Sequence, residues 1–522
     1  MLELPDMKTA PDIYLEKVER AAKQESWAVL MPIEYYFARK ALRGGRTDVR
    51  KLYHAITPEQ YAAGERICYQ DICSEYPFQQ VEHDFPVGTP EIRIYDRDWT
   101  PCSDQNHQDE KCLRGLRCGC EEPKIDRKCN LRRHFYQQPT EEEMLSRDFF
   151  GIVCASVTPP KNLYHPVLVY YDDKAQKCIS SCEPIKEGVF TTVELQRAIQ
   201  RGYKIDKIHR LDKYTRKASL WRDTTFKLFI EKMVNSKNEP GEEEAQRLID
   251  GYERKFGMGD EIAATFQEHR WGKNPAKKQT AKIMMNSVWG KHAERLTQIK
   301  TEIFDRHCEK EDVLSLYTFY HNVLKNNYQV QGLCYMGNDR TLIRYQENAS
   351  QVSQNMHKTY LPAAVFVPAY GRLQLEEQLF KLGKRVLMND TDSIVYHYIP
   401  GAYNIPEGDL LGDWEVEDFD SKNGGILEFV GMGPKTYAMR AANGKTTVKA
   451  KGVSVKYAHN KLVNFQTMRD IVFQQIRNPK QPGITIKVPQ LSFKYTMDSE
   501  MRTERYYKGT AHFSTIQTNT QT

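Results

Sequence analysis

The sequence predicts a chain of α+β class. Three observations carry this expectation. Residues Ile67 to Ile72 alternate between two faces as a strand does, and Arg385 to Tyr396 reads as strand, tight polar turn, strand. Helical spacing marks Ala276 to Ala293 and the stretch bearing Leu375, Leu379 and Leu382. Strand runs and helical runs on separate stretches point to a mixed, mostly antiparallel sheet backed by helices.

Taken in order, residues 1–40 carry Ala, Glu, Lys and scattered aromatics in a helical manner. The paired glycine of Gly44-Gly45-Arg46-Thr47 ends them, a turn where backbone can approach another molecule closely. The strand through Asp71 is expected to run to about Pro77. A polar, cysteine-rich stretch over about 98–145 reads as an insertion. Phe149 to Tyr171 is β-like again, broken at Pro159-Pro160, and about 190–270 reads as a charged helical region with a loop at Pro240-Gly241. The helix from Ala276 precedes a mixed, polar 300–360. The leucine-bearing helix then stops at Gly383, and the hairpin that follows holds Asp390-Thr391-Asp392-Ser393 at its tip.

With 522 residues, 40% hydrophobic and 28% charged, the chain can bury a sizeable core and is neither a disordered tail, nor collagen-like, nor a polytopic membrane protein. No apolar run of ~18 residues could span a bilayer. The start, MLELPDMKTAPD, has no basic segment followed by an apolar one, so the expectation is a chain that is not secreted. Its twelve cysteines then read as reduced thiols. Between Gly433 and Thr510 stand 15 Lys and Arg against four Asp and Glu, a net of +11, so the rest sums to −5 of the total +6. A basic carboxy-terminal block on a mildly acidic body suits a polyanion held at one end, or a solvated basic face.

The chemistry-bearing residues begin at the hairpin. Asp390 and Asp392, one residue apart at a turn, repel each other and call for a cation or for solvent. Mg²⁺ takes such hard oxygen ligands and completes its shell with water and substrate phosphates, though Asp-Thr-Asp-Ser is also an ordinary turn sequence. Lys278, Lys282, Asn286 and Gly290 recur every four residues along one helix face, with Ile283, Met284, Met285 and Val288 packing elsewhere. Two ammonium groups, an amide and a bare backbone suit a phosphate-bearing ligand lying along the helix, or a solvated face. Cys102, Cys112, Cys118, Cys120 and Cys129, with His107 and His134, could hold structural Zn²⁺, although their spacing lacks paired C-x-x-C knuckles. Cys178 and Cys182 stand C-x-x-x-C and could be a degraded knuckle or nothing.

Together these pieces form an ordered constellation that resembles the family B DNA polymerases. Asp71-Ile72-Cys73-Ser74-Glu75-Tyr76-Pro77 is similar to the first palm motif, D-x-x-S-L-Y-P, with Glu75 for leucine. Lys282-Ile283-Met284-Met285-Asn286-Ser287-Val288-Trp289-Gly290 resembles the fingers motif K-x-x-x-N-S-x-Y-G, with tryptophan for tyrosine. Met388-Asn389-Asp390-Thr391-Asp392-Ser393 resembles the palm hairpin Y-G-D-T-D-S. Lys435-Thr436-Tyr437 matches the K-x-Y element, and Arg43-Gly44-Gly45 the Y-x-G-G turn, with Leu42 where tyrosine is expected. Softer phrases, among them Phe150-Gly151-Ile152 and Gly433-Pro434-Lys435, resemble the protein-primed branch, in particular the polymerases of Polinton/Maverick-type elements and related viruses.

The resemblance implies a right-hand fold: palm, helical fingers and thumb. Residues 1–48 would hold an N-terminal helical segment and the template-contacting turn, 49–270 the first palm part with the cysteine-rich and a terminal-protein-contacting insertion, and 271–300 the fingers. An insertion over 301–360, a second palm part over 361–452 and the thumb and tail over 453–522 would follow. It implies two Mg²⁺ ions held by Asp71, Asp392 and the Ile72 carbonyl, with Asp390 beside them. Lys282 would meet the triphosphate, with Lys278 one turn away, and Asn286 would place the nucleotide. Ser74 lies in the nucleotide site, and Tyr76 under the sugar excludes a 2′-hydroxyl. Gly44, Gly45, Arg46, Trp289, Gly290, Lys435 and Tyr437 would contact template or primer DNA. Glu75 is expected to turn away from the pocket. Partners would be template and primer, dNTPs and a terminal protein, with no membrane, at a site of viral DNA replication or in the nucleus of a eukaryotic host. About 40 residues precede Gly44, too few for the family's proofreading exonuclease domain, so a chain without proofreading is expected. A non-catalytic DNA-binding relic and a reverse transcriptase are the competing readings. The lysine–asparagine–glycine helix between the palm motifs points away from the second.

Overall fold

The computed structural model describes residues 32–96, 136–172, 177–219, 221–295, 299–305, 319–321, 323–325, 328–335, 340–347, 359–453, 461–479, 490–495 and 503–508. The expected helix over most of 1–31 and the cysteine–histidine group at Cys102 to His134 lie outside them. The chain divides into two units: residues 1–48, 58–293 and 359–425, and residues 49–57, 294–358 and 426–522.

In the first unit the Arg66–Ile72 strand pairs antiparallel with Ser393–Tyr398 on one side and Trp414–Val416 on the other. Val386–Asp390 pairs with Ser393–Tyr398 to close the expected hairpin. The 22-residue helix Leu361–Leu382 covers this sheet, its Leu375, Leu379 and Leu382 packed on Cys68, Ile72, Val386, Ile394, Tyr396 and Trp414. That helix begins well before the leucines that revealed it, because Leu361 to Arg372 is buried throughout and shows no polar face.

Two local expectations fail for physical reasons. The strand through Asp71 ends at Ile72, not near Pro77. Ser74 takes a left-handed conformation (φ 56°) and a helix runs Glu75–Glu82, so Pro77 lies in its first turn, where a missing N–H costs nothing. Residues 190–270 are not all helical either. Between the helix Thr192–Gln200 and three helices, Arg222–Val234, Glu242–Phe256 and Gly259–Gln267, runs a 15-residue strand, Lys204–Ala218. Its charges disguised it: Arg210 and Asp212 are buried, and the Arg210 Nη2 donates to the Asp212 carboxylate at 2.8 Å on the same strand face. The strand joins Asp84–Ile94, Gly151–Thr158 and Ile185–Thr191 in a four-stranded antiparallel sheet.

The helix Pro275–His292 follows the expected bounds closely. Asn274 caps it by accepting from the Lys277 N–H, and Pro275 opens it. Ala281, Met285, Val288 and His292 face the interior, while Ile283, expected to pack, is exposed. Met285 joins a core with Phe226, Phe229, Leu248, Tyr252 and Phe256 that fixes this helix on its neighbours.

In the second unit, Tyr53–Ala55, Ile426–Gly433, Thr436–Ala441 and Thr446–Lys449 form an antiparallel sheet. Phe465–Arg477 packs on it through Phe465, Met468, Ile471 and Val472. The polar 300–360 stretch holds a three-stranded antiparallel sheet of Ile299–Asp305, Arg340–Glu347 and Tyr328–Tyr335. Gln490–Tyr495 and Thr503–Lys508 pair as a further hairpin.

Candidate active site

Strand register brings the backbones that carry the two expected acids side by side. Ser393 lies directly opposite Asp71, and the Ile72 N–H donates to the Asp392 carbonyl at 2.8 Å. Two residues more than three hundred positions apart thus adjoin across one strand pair. From the other side Glu415 stands opposite Asp71, so a carboxylate that drew no notice in the sequence shares its face of the sheet.

The hairpin tip is held from below by the paired glycine. Thr391 is left-handed (φ 60°), and its N–H donates to the Arg46 carbonyl at 2.8 Å, which also accepts from the Asn389 amide at 3.0 Å. A Cβ on Gly45 would stand 2.3 Å from Thr391 Cγ2 and 2.8 Å from its Cα, so only glycine admits this approach. Gly44 is exposed, with open space where its Cβ would be. The Arg372 Nη1 donates to the carbonyls of Arg43 and Gly44, 2.9 Å each, while its Nη2 and Nε bind Glu194 at 2.7 and 2.9 Å. Burial opposes ionisation of Glu194, but Arg372 and Arg43 outweigh it and hold the carboxyl below its ordinary value. Arg46, expected to meet a phosphate, is instead buried. Its guanidinium is engaged by Asp48 at 3.0 Å and by the Pro166 carbonyl.

Asp390 is half-buried and accepts from the Thr47 hydroxyl at 2.9 Å, an arrangement that ties it to the hairpin's packing. Glu75 is buried against the bare backbone of Gly371, whose Cβ would lie 2.3 Å from its carboxylate. It has not left the acids' field. Burial first, then the charges of Asp392 and Asp71, push its carboxyl well above the usual carboxylate range, with Arg372 opposing.

Lys278, Lys282 and Asn286 are exposed on one face of the Pro275–His292 helix, and a Cβ at Gly290 would meet nothing within 4 Å. A third lysine completes the group. Lys232, on the helix Arg222–Val234, donates to the Ser74 hydroxyl at 2.6 Å. Burial lowers its pKa, as do the charges of Lys282 and Lys278, against the pull of Cys73 and Glu415. Its bond to Ser74 sets the Lys232 ammonium at the amino end of the Glu75–Glu82 helix, where it feels the charges of Lys282 and Lys278. No periodicity could have revealed Lys232, because it sits on a different helix from the other two. The Tyr76 and Trp289 rings meet edge to face with centroids 5.0 Å apart. In the second unit Lys435 is exposed at a left-handed turn (φ 59°), but the Tyr437 ring, expected to hold the primer end by stacking or hydrogen bonding, is buried and lies under the Lys449 ammonium at 5.6 Å.

Among the described residues no three His, Cys, Asp or Glu side chains converge as a ready metal cluster. Two aspartates and a backbone carbonyl are nonetheless the hard oxygen donors that Mg²⁺ takes, an ion that keeps several waters and shares its shell with phosphates.

The family model described as DNA polymerase type B, organellar and viral, matches residues 8–111 and 127–250, a stretch that includes Asp71. Over those residues the chain is similar to the type B DNA polymerases. Among solved structures, this chain is similar to Phi29 DNA polymerase complexed with primer-template DNA in a post-translocation binary complex (TM-score 0.53, 15% identity, 94% of this chain and 65% of that one). It is also similar to the Phi29 ternary complex with primer-template DNA and incoming nucleotide substrates (TM-score 0.52, 15% identity, 93% and 65%). The Phi29 polymerase complexed with single-stranded DNA gives a TM-score of 0.51 at 15% identity, over 94% and 65%. At such identity the likeness is one of fold, and this chain spans 65% of the Phi29 chain's length. No curated protein matches the sequence. Among the described residues no helix is long and apolar enough to cross a membrane.

Proposed function

We propose that this chain is a type B, DNA-directed DNA polymerase that adds deoxynucleotides to a primer 3′-hydroxyl on a DNA template. The observation that carries the reading is the cross-strand adjacency of Asp71 and Asp392, with Ser74 three residues on and bonded to Lys232. Asp71, Asp392 and the Ile72 carbonyl would hold Mg²⁺, which when bound activates the 3′-hydroxyl and neutralises the pyrophosphate leaving group. Lys232, Lys278 and Lys282 bind the triphosphate and concentrate its charge where it must be stabilised. Tyr76, backed by Trp289, lies against the sugar and leaves no room for a 2′-hydroxyl. Asn286 and the bare face at Gly290 admit the nucleotide and the base beside it. Lys435 meets DNA phosphate as an exposed charge.

The finer reading is a protein-primed enzyme of a Polinton-type element or related virus, working in a host nucleus or at a site of viral replication. The strands between Gly290 and Asp390 support it as the place of the branch's insertion. Structural Zn²⁺ at Cys102 to Cys129 remains part of the proposal, and metal analysis of the purified chain tests it. Glu75 beside both acids favours one competing reading, a catalytically silent DNA-binding relic.

Primer extension decides. The expected result is Mg²⁺-dependent dNTP addition on a DNA template, reduced about a thousandfold or more by Asp392→Asn. Extension on RNA alone would make the chain a reverse transcriptase, and DNA binding without extension would make it the relic.

A further inference from the structure

The tryptophan that stands where the fingers motif carries tyrosine has a partner far along the chain. The Trp289 Nε1–H donates to the Ala364 carbonyl at 2.9 Å. Ala364 lies inside the helix Leu361–Leu382, fully buried, where a carbonyl ordinarily receives the N–H four residues ahead. Four residues ahead is Pro368, which has no N–H, and whose ring crowds that same carbonyl. The proline therefore strips the Ala364 oxygen of its helical donor in a buried setting, where an unpaired acceptor is costly. The indole supplies the missing hydrogen. Neither tyrosine nor phenylalanine carries a donor at that point of the ring.

The bond has a consequence for the site. It pins one edge of the indole to the long helix while the ring packs against Tyr76 at 5.0 Å. One turn beyond Pro368, Gly371 of the same helix seats Glu75, the residue before Tyr76. A second bond, from the Tyr360 N–H to the His292 Nδ1 at 3.1 Å, fastens the end of the fingers helix to the start of the long one. Tyr76 is thus held from the Trp289 side and from the Glu75 side by one helix.

We propose that Trp289 and Pro368 are a matched pair, in which the carbonyl freed by the proline anchors the indole and so positions Tyr76 to discriminate against a 2′-hydroxyl. Trp289 and Pro368 are positioning residues; the contact with the sugar belongs to Tyr76. The sugar step rests on the polymerase reading above, whereas the pairing itself does not.

A double-mutant cycle of Trp289→Phe and Pro368→Ala, read by thermal melting without DNA or nucleotide, tests the pairing. Trp289→Phe in the natural background lowers the melting temperature. In the Pro368→Ala background the amide at 368 reclaims the Ala364 carbonyl, so the same change lowers it by about 2–4 °C less. Strict additivity overturns the pairing. Primer extension with dNTP against rNTP tests the sugar step. Pro368→Ala, which touches no nucleotide, is expected to lower the dNTP/rNTP ratio of kcat/KM about three- to tenfold, because the helix then competes for the indole's acceptor. Coupling in the melts with an unchanged ratio overturns the role in sugar selection. Coupling with no extension by the natural chain overturns the polymerase reading and the sugar step together, and leaves the pairing established.

Discussion

Glu75 stands where the palm motif that this sequence resembles carries leucine, and its setting makes the departure measurable. A carboxyl buried against Gly371 and facing Asp71 and Asp392 has a folded-state pKa above its unfolded value. The folded state therefore binds more protons than the unfolded one above about pH 4.5, and stability falls as pH rises toward the raised folded pKa. Glu75→Leu should stabilise the protein by about 1–3 kcal/mol near neutral pH, and progressively less toward pH 4.5. Added Mg²⁺ should shrink the gain by neutralising the acids that repel Glu75. Melting curves from pH 4.5 to 8.5, with and without Mg²⁺, check this, and a gain that does not depend on pH would refute it. Lys232 makes the complementary case. Its ammonium stands beside Ser74 and the exposed lysines, so Lys232→Ala should raise KM for dNTP and lower kcat/KM about ten- to a hundredfold, or ~1.4–2.8 kcal/mol. Steady-state kinetics with a saturating primer-template would show it, and an unchanged KM would remove Lys232 from the nucleotide site.

At the scale of elements, what could be read from the sequence was local and what could not was tertiary. The helix Pro275–His292 and the hairpin of Val386–Asp390 with Ser393–Tyr398 lay in plain sight, because periodicity, capping residues and turn chemistry all agree there. The strand Lys204–Ala218 was hidden, since His209, Arg210 and Asp212 read as solvated charge until their partners are known. In the site, the motif acids and Lys282 could be found by spacing. Lys232, Glu415 and the Glu194–Arg372 pair could not, because each is set by packing between elements distant in sequence. The paired glycine lay between these cases. Its motif was visible, yet Gly45 serves the hairpin before any template, by letting Thr391 approach. Gly45→Ala should therefore lower the melting temperature and cut extension at least about tenfold through displacement of Asp390 and Asp392. Gly44→Ala, with open space at its Cβ, should leave the melting temperature unchanged. Equal shifts for the two would disprove this division of roles.

For the molecule as a whole, two units with separate cores should melt in two transitions, since each buries its own apolar residues. Acid should act on them unequally. Burial lowers His292 to about 3 and His83 to about 4, and both belong to the first unit. Each folded-state value lies below the ordinary 6.5, so the unfolded state binds more protons between the two values, and stability is lost as pH falls through that window. The Tyr360 N–H sharpens the effect at His292, because it occupies the Nδ1 lone pair that an acid proton would need. Between pH 6.5 and 4 the two imidazoles pull the first unit's transition down while Glu75, in the same unit, pulls it up, so in a Glu75→Leu background that transition should drop by on the order of 3 kcal/mol per imidazole, while the second unit's moves less. His292→Asn, which keeps an acceptor for that N–H but cannot titrate, should flatten the first unit's slope without abolishing folding. Calorimetry across the range separates the outcomes: one transition, or two with parallel pH slopes, would show that the acid response does not reside in the first unit.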